Sequence, residues 1–397
     1  MSVLLLAAVA LVAPPAAPYA SSQDESPRVL PRVAPPKKVE VPERLSTEEI
    51  VEPLDRAVGF LIESQRPDGT WGSQAPDCLL ELGFALETYY SWQMGAHALG
   101  TMALAAGPET PARRAALDRA VEWLIEARLS TRGSDWDVDK VWSTLYGFVA
   151  CVELLEDERL STGELGARLD ARGREFLEVL LAHQSEMGGW AYYDDPPYDR
   201  IQTWATSFCT ALVLPSLVRA KERGWELEQR VIDRALKYVQ RCMLPNGAYE
   251  YDLNPQARIT GIEHINRIEG SLGRTQVCHW ARIRCGDARV SPEDVEQGLA
   301  ALFQHHGFLD HARTRPIPHE GFHANAGYFY FFAHYYAAKV INTLPAERRE
   351  EWHALLRPHI TKTQWTGGAM SDFMDAGYAL TSATAFSILA LEEGMKR

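Results

Sequence analysis

Three groups of residues in this chain have the types and spacing that chemistry uses. His319-Glu320-Gly321-Phe322-His323 is an HExxH string. On a helix it would put His319 and His323 on one face as zinc ligands, with Glu320 as general base of a hydrolase. Cys278 and His279 are thiolate and imidazole donors of the kind zinc accepts. Asp135, Asp137 and Asp139 alternate just ahead of an apolar stretch. There they are placed to cap a helix N-terminus. Most of the chain's 12 histidines fall between His264 and His359, which makes that region the best pointer to function.

These residues need elements to hold them, and a repeat supplies the pattern. Leu61-x3-Gln65-x3-Gly69-Thr70-Trp71 returns as Leu180-x3-Gln184-x3-Gly188-Gly189-Trp190. It returns again as Val239-x3-Met243-x3-Gly247-Ala248-Tyr249, with the Gln lost. Weaker echoes end at Trp136, Leu309 and Met370, each with a small residue two before it. The spacing is about sixty residues, the mark of one supersecondary unit stacked several times.

An amphipathic helix precedes each turn. Leu54-Asp55-Arg56-Ala57 and Leu117-Asp118-Arg119-Ala120 are nearly the same segment, and Ile232-Asp233-Arg234-Ala235 is a third version. A more uniformly apolar helix follows each turn, over 78–106, 138–156, 200–221, 271–285, 320–342 and 373–395, and such a helix is a buried one. Six units of outer and inner helix give an all-α fold. Gly permits the turn, Trp or Tyr plugs the gap between units, and Gln is expected to cap the outer helix end.

Gln-x3-Gly-x-Trp after an amphipathic helix resembles the QW repeat of squalene and oxidosqualene cyclases. Their α/α toroid is shared with protein prenyltransferase β-subunits. Asp375 to Leu391 is similar to the Gly-Thr-Ala-rich inner helix of that group. The resemblance implies an α/α toroid over residues 46–397 and an isoprenoid or other apolar ligand in a central aromatic cavity. Asp137-Val138-Asp139-Lys140 resembles the cyclase Asp-x-Asp-Asp motif and sets Asp139 on the proton donor, with Lys140 in the fourth place. A Lys there is expected to hold Asp139 as a carboxylate. Gly273 to Cys278 resembles the stretch around the prenyltransferase zinc Cys, and His323 its distant His. Gln276 stands where that family has Asp. Zinc is therefore the cofactor the resemblance raises. Trp142, Tyr146, Trp204, Trp280, Tyr328, Tyr330 and His334 are the candidate cavity lining, since aromatic faces stabilise cations. A non-catalytic binding toroid is the alternative to an enzyme, because a toroid hosts unrelated functions.

Composition narrows the partners. The net charge of −13 and the lack of a long basic run exclude a nucleic-acid surface. Residues 1–20, with an apolar run from Val3 to Ala13, read as a secretory signal peptide, and 21–45 as a Pro-rich linker. Export to the periplasm or outside the cell follows from that reading, with peripheral membrane contact as a further expectation. No Gly-rich phosphate loop is present. The chain has 6 cysteines, no CxxC pair, and no spacing that assigns a disulfide.

Overall fold

The computed structural model describes residues 43–72, 84–131, 139–192, 203–253, 265–313, 315, 317–319, 321–373 and 377–396. The proposed signal peptide and nearly all of the linker therefore lie outside the described residues. Asp135, Trp136, Asp137, Glu320 and Cys78 do too. Among the described residues there are fourteen α-helices and no strand beyond isolated bridges.

Six helices form an outer layer: α1 (Val51–Ser64), α3 (Pro111–Glu126), α6 (Gly163–Ala182), α8 (Gln229–Cys242), α10 (Pro292–Gln304) and α13 (Ala346–Thr361). Six form an inner layer: α2 (Leu86–Ala105), α4 (Val141–Leu154), α7 (Ser207–Glu222), α9 (Leu272–Arg284), α12 (Phe329–Ile341) and α14 (Gly377–Glu393). Two short helices, α5 (Glu158–Ser161) and α11 (His306–Arg313), lie in connections. The inner helices touch in the order α2, α4, α7, α9, α12, α14 and back to α2, so the ring is closed. This is the α/α toroid expected from the repeat.

Burial follows the sequence pattern. On α1 the buried residues are Leu54, Ala57, Val58 and Leu61, one stripe at helical spacing. On α4 nearly every residue is buried, because it packs on two inner neighbours and an outer one.

The turns fasten the units, and here the Gln differs from expectation. Gln65, Gln184 and Gln364 do not cap their own helices. Gln65 Nε2 donates to Gly69 O (3.0 Å) inside its turn and to Ala116 O (2.9 Å) on the next outer helix. Gln184 repeats this with Gly188 O (2.8 Å) and Val231 O (3.0 Å). Gln364 donates to Gly368 O (3.2 Å) and to Pro53 O of α1 (2.7 Å), which joins the last unit to the first. An amide spans both acceptors because it carries two N–H donors on a short stem. The repeated Arg works from the other side: Arg56 donates to Trp365 O (2.8 Å) and Arg234 to Ser185 O (3.0 Å). Trp71 and Trp190 are fully buried, and each indole N–H donates to its own outer helix, at Leu61 O (2.8 Å) and Leu180 O (2.7 Å).

Two sequence expectations change. Gly307 and Leu309 are not a turn but part of α11, so the fifth echo of the motif is a helix. Residues 321–328 are not the first turns of an inner helix. α12 starts only at Phe329, and His319, His323 and Ala324 hold φ of 62°, 57° and 54°. Left-handed backbone at β-carbon-bearing residues is incompatible with a right-handed helix.

Replacing Gln184, which is nearly buried, with Ala strands two carbonyls. The expected loss is about 1–3 kcal/mol of stability, read as a lower urea unfolding midpoint. The same change at exposed Gln229 is expected to leave the midpoint unmoved.

Candidate active site

The inner helices start at one mouth of the ring, and Asp139 stands there immediately before α4. It takes φ of 58°, and its backbone is pinned from three sides. Ser91 Oγ on α2 lies 3.0 Å from Asp139 O and 2.9 Å from Lys140 O. Trp142 N donates back to Asp139 O (3.2 Å), and Ser143 N donates to Ser91 Oγ (3.0 Å). Asp139 is not the N-cap. Lys140 holds that position without a capping hydrogen bond from its side chain, and Ser91 Oγ accepts from Ser143 N of the first turn instead.

The Asp139 carboxyl turns instead toward α2, where Trp92 Nε1 donates to Oδ2 (3.3 Å). Asp139 keeps some accessible surface, but the protein around it is dense. Desolvation pushes its carboxyl up to about 7, with the Trp92 hydrogen bond pulling the other way. The net shift is upward, so Lys140 does not hold Asp139 in the ordinary carboxylate range. Charge on Asp139 also raises the Cys209 thiol and the Tyr328 phenol, which places both within electrostatic reach.

Aromatic rings surround this acid. Trp92 stacks on Tyr378 (5.1 Å between centroids) and meets Tyr89 edge-on (5.6 Å). Trp142 stacks on Tyr146 (5.7 Å) and on Tyr192 (5.8 Å), and Tyr192 meets Trp204 edge-on (5.6 Å). Trp92, Trp142, Tyr192, Trp204, Tyr328 and Tyr378 are each half-buried, so all keep accessible faces. Deeper in the ring the rings close up. Phe208 of α7 meets Phe329 (5.3 Å) and Phe332 (6.1 Å) of α12, and Tyr146 of α4 meets Phe386 of α14 (6.0 Å). These residues are buried. The accessible aromatic surface is therefore a cup at the mouth above a buried aromatic layer.

A polar row completes the cup. Tyr251 OH donates to Tyr192 OH (2.9 Å). His319 Nδ1 lies 2.7 Å from Ala324 O, so it carries the proton, and Nε2 accepts from Tyr328 OH (3.0 Å). Burial lowers the His319 pKa and keeps the ring neutral.

The HExxH string is thus a loop in which both nitrogens of His319 are engaged, while His323 packs on the Phe308 ring (4.6 Å). The helical face that zinc would need is not formed. Cys278 and His279 do not reach this mouth as metal ligands either. They lie midway along α9, with Cys278 Sγ against Ser207 O (3.8 Å) and His279 against the Tyr249 ring (5.5 Å). Burial raises the Cys278 thiol well above its ordinary value, opposite to what a thiolate ligand needs.

Three expected cavity residues lie elsewhere. Trp280 packs on Tyr336 (5.5 Å) and under the Lys339 ammonium (5.3 Å). Tyr330 and His334 take the outward side of α12. Tyr330 OH donates to His359 O (2.7 Å) and His334 Nε2 lies 3.0 Å from His306 Nε2.

That outward group contains the one set of candidate metal ligands found among the described residues. His306, Asp310 and His359 bring ligand atoms within 4.8 Å of one another. Residue type and distance would let them hold a divalent ion. Lys362 Nζ, however, sits 2.7 Å from Asp310 Oδ1 and already supplies the positive charge that a metal would bring. Burial lowers His306, and lowers His359 to about 3, so these rings are neutral. Trp92, one of the inner-helix aromatics legible as cavity candidates, proves to hold the acid. Asp372 is buried and pushed up to about 7, and its spacing carries no signal.

No protein-family model matches this sequence, and no curated protein sequence matches it. Solved structures do. A variant of type II terpene cyclase MstE from Scytonema, in complex with geranylgeranyl dihydroxybenzoate, aligns over 88% of this chain and 99% of its own, with 15% identity and a TM-score of 0.51. A variant of the GH76A α-1,6-mannanase of Salegentibacter sp. HEL1_6, in complex with α-1,6-mannotriose, aligns over 87% and 98%, with 12% identity and a TM-score of 0.57. The GH76A enzyme itself gives 11% identity, the same coverage and a TM-score of 0.55. Both proteins are α/α toroids of different chemistry, so the likeness shows the fold.

Seven imidazoles, five buried and two (His319 and His359) half-buried, have lowered pKa values: His97, His279, His306, His319, His334, His353 and His359. The unfolded chain binds their protons below about 6.5 and the folded chain does not. Stability is therefore expected to fall as pH drops from about 6.5 toward 4. The raised carboxyls of Asp139, Asp372 and Glu392 act in the opposite sense, but they are three against seven. Urea midpoints measured across that range check the sign.

Proposed function

We propose that the chain binds an isoprenoid or similarly apolar molecule in the aromatic cup and transfers a proton to it from Asp139. The single observation that carries this reading is a carboxyl raised to about 7, held by one indole N–H among accessible aromatic faces. A carboxylic acid that stays neutral near pH 7 can give its proton to a substrate oxygen or an electron-rich alkene. The flanking rings of Trp92, Trp142 and Tyr328 then stabilise the cation that forms. The Scytonema cyclase binds a geranylgeranyl-bearing substrate on the same fold, which supports the ligand class. A ligand seated in this way lies in the mouth, because the layer of Phe208, Phe332 and Phe386 fills the ring below it. Zinc has no part in this reading, and the hydrolase built on His319, Glu320 and His323 loses its support with the helix.

A second reading, a binding toroid without turnover, has an observation in its favour. Lys140 stands where the cyclase motif places another carboxylate. In that case the cup holds the ligand and Asp139 does no more than hydrogen-bond to it.

Incubation with geranylgeraniol and geranylgeranyl-substituted phenols, followed by mass spectrometry, separates the two. Turnover is expected to give a product isomeric with the substrate. Asp139→Asn is expected to lower the rate at least about a hundredfold, the usual worth of a positioned acid, while quenching of tryptophan fluorescence by the ligand persists. An unchanged rate in that variant removes Asp139 from the chemistry, and quenching without any product favours the binding toroid.

The protonated form is the donor, so the rate is expected to be flat below about pH 6. It should fall tenfold per pH unit above about 7–8, as Asp139 ionises. A rate that rises with pH would instead assign Asp139 the role of a base.

A further inference from the structure

Three turns of the repeat are seated hard on the next outer helix. A Cβ built on Gly69 would lie 2.4 Å from Arg119 O, one on Gly188 2.8 Å from Arg234 O, and one on Gly368 2.2 Å from Arg56 O. The fourth turn is different: a Cβ on Gly247 would meet nothing within 4 Å. The sequence explains the gap. Met243 replaces the Gln that would clamp the turn, and α10 carries Val295-Glu296-Gln297-Gly298 where α1, α3 and α8 carry Leu-Asp-Arg-Ala or Ile-Asp-Arg-Ala. Only α1, α3 and α8 carry that segment, and they are the helices that receive the three intact turns; at the fourth joint the Gln from one side and the Arg from the other are missing together.

A crevice of about 210 Å³ opens in their place between the fourth turn, α9 and α10. One water needs only ~10–15 Å³ on such a measure, so the space is many times larger. Met243, Asn246, Thr275, His279, Asp294 and Gln304 are among its lining. His279 is 2% exposed, and neither ring nitrogen has a hydrogen-bond partner. Gly298 makes room for it, since a Cβ there would stand 3.4 Å from His279 Nδ1. Leaving a buried donor and acceptor unpaired costs free energy comparable to a lost hydrogen bond each, and a ligand that reached the ring from the crevice it lines would recover that cost.

The lining chemistry selects the occupant. Among the described residues no Lys or Arg faces the space, which disfavours an anion. Asp294 is the one carboxylate among them, and its Oδ2 already accepts from Ser291 N (2.9 Å), which disfavours a cation. A neutral imidazole offers one N–H and one lone pair, the complement of a hydroxyl group, and the amides of Asn246 and Gln304 offer the same mixture. We propose that this crevice is a binding site for a small neutral polyhydroxylated molecule, with His279 as its paired donor and acceptor. It lies on the flank of the ring, apart from the aromatic cup, and does not depend on the reading of Asp139.

The full chain labelled with 15N-histidine tests this with glycerol, myo-inositol and mannose as probes. At least one probe is expected to shift both His279 nitrogens in a saturable way, with a dissociation constant in the millimolar range or tighter. Met243→Gln restores the missing clamp, with Gly247 O and Asp294 O as its acceptors by analogy with the three intact turns. It is expected to raise the melting temperature and weaken binding tenfold or more. Gly298→Ala, which narrows the space beside His279, is expected to weaken binding as well. Resonances of His279 that no probe moves would mean ordered water only and overturn the proposal. Shifts of equal size and affinity in Met243→Gln would overturn it too, by placing the probe elsewhere.

Discussion

An amide that reaches two carbonyls at once is the constraint from which the rest of this structure follows. Gln65, Gln184 and Gln364 each hold a glycine turn closed and tie it to the outer helix of the next unit. Gln364 does so between the two ends of the described ring, where α13 leads into the turn and α1 receives it. A stack of helical pairs can curve without closing. Here a hydrogen bond between residues 364 and 53 and contact between α14 and α2 complete the circle. Closure places the starts of all six inner helices at one mouth, and residues far apart in sequence meet there.

The acid at that mouth owes its character to this arrangement. Asp139 precedes α4, Trp92 belongs to α2, and Tyr328 immediately precedes α12. None is unusual alone. Brought together, they remove water from a carboxyl and give it one modest donor, and desolvation outweighs the hydrogen bond. The aromatic layer beneath, from α4, α7, α12 and α14, is buried and adds to the apolar surroundings of the acid. The same closure exposes where the repeat is imperfect. The fourth turn lacks its Gln and faces a helix lacking its Arg, and the structure is open at that joint.

The repeat was legible because its physics is local and periodic. Stripes such as Leu54, Ala57, Val58 and Leu61 dictate an amphipathic helix, and the Gly at 69, 188, 247 and 368 dictates a left-handed turn. The function of the Gln was not legible, because its second acceptor lies in another unit. Gln364 itself went unremarked in the sequence, although it completes the Gln-x3-Gly pattern before Met370. The HExxH string misled because spacing implies a shared face only on a helix, and His319 and His323 adopt left-handed backbone. Tyr330 and His334 were expected in the cavity because α12 is aromatic nearly throughout. A helix buried on every side gives no sequence signal of which face points inward.

The amino-acid sequence alone determined an all-α repeat of paired helices and the glycine turns, which rest on contacts within about one helical turn or on a repeated pattern. The toroid and the candidacy of Asp139 came from the likeness of the chain's motifs to those of the cyclases. Tertiary structure decided that Asp139 is desolvated beside an indole, that His306, His334 and His359 gather on the outside of the inner ring, and that one joint stands open. Burial, electrostatics and packing gaps depend on what lies across space, and residues forty to three hundred positions apart become neighbours only once the ring has closed.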